Sequence, residues 1–168
     1  MNKAYENMRG FWLDVKNLEN RKGIMELGAD KISIAGVEMP VADGQNVKYL
    51  LIATNSLGDS SLYFENNSKS GLGGMIGGHG NEKLQEIAAH MLAHASKLTG
   101  QMEKSAQLPA AEPGNITLFA VAKDQIFYKE LPEAQARDPQ NPFYPMFAYS
   151  QQLVGAFRAQ TQENPGRC

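Results

Sequence analysis

The chain's three histidines, His79, His90 and His94, fall within one stretch of sixteen residues. In His90-Met91-Leu92-Ala93-His94 two imidazoles stand four residues apart. On a helix this places them one turn apart on one face, the spacing a helical metal pair requires. A zincin needs Glu directly after the first His, and Met91 stands there, so that protease chemistry is excluded. Lys83 and Lys97 put positive charge nearby, and the pair lies about 80–120° around the helix from the Leu84/Met91/Ala95 stripe. The spacing predicts two partly exposed histidines on a boundary face, with a metal or haem site on His90 and His94 as the alternative. Two adjacent imidazoles also make this helix a candidate for pH sensitivity below neutrality.

The second feature is Gly71-Leu72-Gly73-Gly74-Met75-Ile76-Gly77-Gly78-His79-Gly80, in which six of ten residues are glycine. Between a strand and a helix, such a run can expose backbone amides as an anion-binding nest, here drawn from Gly73, Gly74, Gly77, Gly78 and His79. Neither phosphate motif fits. A dinucleotide fingerprint begun at Gly71 would need glycine where Ile76 stands, and a P-loop would need Lys and Ser or Thr where Asn81 and Glu82 stand. The expectation is therefore a glycine-rich loop over 66–80, with Leu72, Met75 and Ile76 available to pack on the core or on a partner.

Nucleophilic chemistry finds little support. Gly58-Asp59-Ser60 resembles the Gly-Asp-Ser start of one lipase and esterase family, but it falls in a predicted hairpin turn, and no His follows position 94 to complete a triad. No Gly-x-Ser-x-Gly elbow occurs. Cys168 is the lone cysteine, on an Asn-Pro-Gly-Arg-Cys stretch with no base beside it. The carboxylates are scattered and form no acid/base pair. No catalytic residue and no cofactor is assigned, and whether the chain is an enzyme stays open, with the balance leaning against it.

The elements that position these residues follow from periodicity. Tyr5, Met8, Phe11, Trp12, Val15 and Leu18 recur at helical spacing. Ile32 to Val41 alternates as one strand, or two joined at Ala35-Gly36, and Pro40 marks an edge because it cannot donate to a ladder. Val47–Ala53 and Ser60–Glu65 form a hairpin around an Asn/Gly/Asp turn. Asn81 to Leu98 is a helix burying Leu84, Ile87, Ala88, Met91, Ala95 and Leu98. Residues 101–115 form a Pro/Ala-rich connection. A second hairpin joins Ile116–Ala122 to Gln125–Leu131, and a last helix starts between Asn141 and Pro145. It buries Phe143, Met146, Phe147, Leu153, Val154 and Phe157, leaving Tyr144 and Tyr149 as candidates for a partner surface. Residues 161–168 read as a disordered tail.

This order predicts an α+β fold in one domain over 1–168, with an antiparallel sheet of five to six strands and three helices. In element order it resembles type III secretion chaperones and profilin-like and Roadblock-like modules, in topology only. With 168 residues the chain can bury a core without staples. A net charge of −2 disfavours nucleic acid, and no apolar run is long enough for a membrane helix. The N-terminal residues lack a signal-peptide core, and one cysteine requires no oxidising compartment, so a soluble cytoplasmic protein is expected. The favoured function is a protein-interaction module of chaperone, adaptor or inhibitor type that binds another polypeptide, with a homodimer as one form of partnership. The alternative is a small-ligand binder or an enzyme using the Gly71–Gly80 segment and the His90/His94 helix.

Overall fold

The computed structural model describes residues 1–13, 32–78, 80–122 and 125–163. Helix α1 (Lys3–Leu13) leads into strands β1 (Ile34–Asp43), β2 (Asn46–Asn55), β3 (Ser60–Glu65) and β4 (Leu72–Gly77). Helix α2 (Glu82–Leu98) follows, then a 3-10 turn, β5 (Glu103–Ser105), β6 (Asn115–Ala122), β7 (Gln125–Pro132), the short α3 (Glu133–Ala136) and α4 (Tyr144–Glu163). The fold is α+β. All strand pairs are antiparallel, in a seven-stranded sheet ordered β4-β3-β2-β1-β6-β7-β5.

Strand alternation sorts the core into two layers, because successive side chains point to opposite faces. Ala35, Val37, Ile52, Leu62, Leu118 and Ala120 meet α2 and α4 on one face. Ile34, Leu51, Ala53, Phe119 and Val121 meet Tyr5, Trp12 and Leu13 of α1 on the other. Asn2 caps α1 by accepting from the Tyr5 amide at 2.9 Å, and Asn81 caps α2 by accepting from the Leu84 amide at 3.1 Å. The predicted stripe Leu84, Ile87, Ala88, Met91, Ala95 and Leu98 is buried. Helix α4 begins at Tyr144, which places Pro145 in the first turn, where its missing N–H has no partner to lose. Of the predicted first helix, Val15 and Leu18 lie outside the described residues.

The 34–43 segment is one continuous strand without a turn at Ala35-Gly36. Gly36 is needed for packing: a Cβ there would stand 2.3 Å from the Phe119 ring and 2.4 Å from the Ile52 carbonyl oxygen. Pro40 does sit at an edge, although β1 is central. Strand β6 pairs only with Ile34–Glu38, so Pro40 has β2 as its single neighbour.

Three expectations are corrected. Within the predicted loop 66–80, Leu72–Gly77 is a strand. Its glycines admit neighbouring rings rather than supply flexibility: a Cβ at Gly73 would lie 2.5 Å from the Phe64 ring, and one at Gly74 would lie 2.8 Å from that of Tyr63. The 101–115 connection contains β5 and buries Leu108 and Ala111. The predicted tail begins too early, since α4 continues to Glu163, beyond which the chain is outside the described residues. Strands β4 and β5 bring the sheet to seven.

Candidate functional site

Strand β4 forms one margin of the sheet. The Asn66 amide donates to Gly71 O at 3.1 Å, which fixes which ladder positions bond inward. By antiparallel alternation Gly73, Met75 and Gly77 direct their backbone groups toward β3, and Leu72, Gly74 and Ile76 direct theirs away from it. Leu72 bears this out: its carbonyl accepts from Ser70 Oγ at 3.0 Å and its amide lies 3.5 Å from the same oxygen. The outward groups of Gly74 and Ile76 have no partner among the described residues. The Ile76 side chain is 73% exposed, on the face that carries α1. No charged residue and no proline interrupts the strand, so two of the usual devices that block strand addition are absent from it. The opposite margin has them, because β5 is three residues long and carries Glu103 and Lys104.

On the same face of the sheet, α1 covers a buried polar cluster. Glu38, fully buried on β1, accepts from Tyr5 Oη at 3.0 Å and from Arg9 Nε at 2.7 Å. Arg9 Nη2 also reaches the second Glu38 oxygen at 3.0 Å and the Leu108 carbonyl at 2.8 Å. Burial, the Glu38 charge and the hydrogen bond to it push the Tyr5 hydroxyl far above the ordinary phenol range. Tyr49 is also shifted upward, by burial and then by the Glu38 and Glu65 charges. Glu65 accepts from the Asn2 amide and, at 2.9 Å, from the Tyr49 amide. Every carboxylate here is engaged in holding α1 and the 108–111 segment to the sheet. A glutamate among the apolar residues of the 34–43 pattern was the sequence signal for this cluster.

The structure brings His90, His94 and Tyr149 together. The Tyr149 ring stacks on His90 with centroids 5.6 Å apart and leans on His94 at 5.3 Å. Tyr149 thus joins α4 to α2 and is half-buried there. His94 Nδ1 lies 3.0 Å from the His90 carbonyl oxygen, and Glu86 lies 3.9 Å from His90 Nε2. An open groove of about 550 Å³ between the two helices is lined by Lys83, Glu86, His90, Tyr149, Gln152 and Gly155. Among the described residues no three His, Cys, Asp or Glu side chains are grouped to hold a metal ion.

The remaining predicted site residues separate. Successive strand amides point to opposite sides, so Gly73, Gly74 and Gly77 do not converge on one anion. Gly78 is buried at the junction, and His79 lies outside the described residues. Leu72 and Met75 are half-buried, each against a different core layer, and Tyr144 is half-buried at the start of α4. Ser60 is fully buried and donates to Thr54 Oγ1 at 3.0 Å, which removes it from solvent. Among the described residues no helix is long and apolar enough to cross a membrane. No family model matches the sequence, and comparison with curated proteins gave no match.

Proposed function

We propose that this protein is a non-catalytic interaction module that holds an extended segment of another polypeptide along β4. The observation that carries this reading is the pair of outward, unpartnered backbone positions Gly74 and Ile76 on an uncharged margin. Main-chain hydrogen bonds to such a margin supply affinity, and alternate side chains supply selectivity. Ile76 gives an apolar contact on one face, beside a site with no side chain at Gly74. A reducing intracellular setting agrees with a single cysteine, which has no partner within the chain.

The test is hydrogen exchange on a complex recovered from the source cells. Slowed exchange at the Gly74 and Ile76 amides, with loss of the complex in Ile76→Lys, supports the reading. Unchanged exchange at both amides in a complex that Ile76→Lys still forms overturns it.

A further inference from the structure

We infer that the strand β4 accepts is β4 of a second copy of this chain, paired antiparallel about a two-fold axis at Met75. The inference rests on the reading of β4 as a strand-accepting margin and names its occupant.

In an antiparallel ladder, two residues that face each other exchange both N–H···O bonds, so each needs outward backbone groups. With the axis at Met75, Gly74 stands opposite Ile76 of the second copy, and Ile76 opposite its Gly74. All four residues with unpartnered groups are then paired, and no existing bond is broken. Moving the axis to Gly74 sets Leu72 opposite Ile76, where the Ser70 hydroxyl already occupies the Leu72 groups. Moving it to Ile76 sets Gly74 opposite Gly78, whose φ of +115° has left the strand.

Side chains select the same register. Ile76 projects on the α1 face, and the residue facing it is a glycine flanked by the Tyr63 ring. The large exposed side chain of each copy therefore lies over the vacant position of the other. Leu72–Gly77 contains no charge, so two copies meet without repulsion across the axis. The assembly closes, because each end of the joined sheet is the short, charged β5.

Sedimentation of the full chain tests this up to about 1 mM, beyond which association would be negligible in a cell. The expected result is a concentration-dependent dimer, weakened about tenfold or more in both Ile76→Lys and Ile76→Pro. The first brings charge to the margin, and the second removes an outward N–H without touching the bonds to β3. In a Cys168→Ser background, Met75→Cys should form an intermolecular disulfide when oxidised glutathione is added as the two-electron oxidant, since facing non-bonded positions place Cα atoms about 4.5 Å apart, within disulfide reach. A monomer throughout, a dimer unaffected at Ile76, or a dimer in which Met75→Cys does not cross-link each overturns the inference. A monomer whose Gly74 and Ile76 amides are still protected by a different partner overturns the second copy alone and leaves the strand-accepting reading standing.

Discussion

The Tyr5 hydroxyl on α1 donates to the fully buried carboxylate of Glu38 on β1 at 3.0 Å, across the interface between the helix and the sheet. Glu38 stands where strand alternation would otherwise place an apolar residue, opposite Leu51 and Thr117. Burying a carboxylate is unfavourable unless its oxygens are satisfied. Tyr5 and Arg9 satisfy them from one helix face, four residues apart, so α1 can dock in only one rotation.

Tyr5→Phe should destabilise the protein by about 1–3 kcal/mol, the range for a buried hydrogen bond whose acceptor is left behind. It should also change the alkaline limb. An unfolded tyrosine ionises near pH 10 while native Tyr5 stays protonated, so the folded state binds more protons there. Its contribution is complete below pH 10 and declines above it by about 1.4 kcal/mol per pH unit. Urea unfolding at a series of alkaline pH values should give a shallower decline for Tyr5→Phe than for the wild type.

Arg9→Met leaves the Glu38 charge buried with one remaining donor, and should cost about 3–5 kcal/mol. Adding Glu38→Gln removes the stranded charge and keeps an acceptor for Tyr5. Chemical denaturation should therefore find the double variant more stable than Arg9→Met alone; an equal or lower stability would show that the charge is not the source of the loss.

Gly36→Ala should be among the most damaging single-methyl additions in the chain. The new carbon would meet the Ile52 carbonyl oxygen at 2.4 Å as well as the Phe119 ring, and backbone cannot rotate away. A loss of about 3 kcal/mol is expected from overpacking, read as a lowered thermal midpoint. Adding Phe119→Leu should recover part of it by freeing the ring's volume.

Equimolar Zn²⁺ should leave the thermal midpoint of the wild type unchanged, since ligand binding stabilises only where a site exists in the native state. His90 and His94 have Tyr149 against their rings and no third ligand grouped with them among the described residues. Tyr149→Ala should lower the midpoint by loosening α2 from α4, at about 1 kcal/mol for the lost ring contacts. A rise in midpoint on adding zinc to the wild type would restore the metal reading of this pair.

Local signals were legible where one element and one buried face were involved. The α2 stripe and both hairpins could be read because 3.6-residue and two-residue periods report directly on which side chains are buried. Strand β4 could not be read this way. A run of glycines looks the same whether it provides freedom or room, and the rings that require the room come from Tyr63 and Phe64 on another strand.

By itself the sequence determined an α+β chain of alternating hairpins and amphipathic helices, with balanced charge and no recognisable catalytic constellation. Tertiary structure alone decided that Glu38 is buried with Tyr5 and Arg9, that Tyr149 packs against the two histidines, and that the outward backbone groups of Gly74 and Ile76 have no partner among the described residues. Each depends on which residues distant in the chain become neighbours in the sheet. Strand order fixes that, and no local period encodes it.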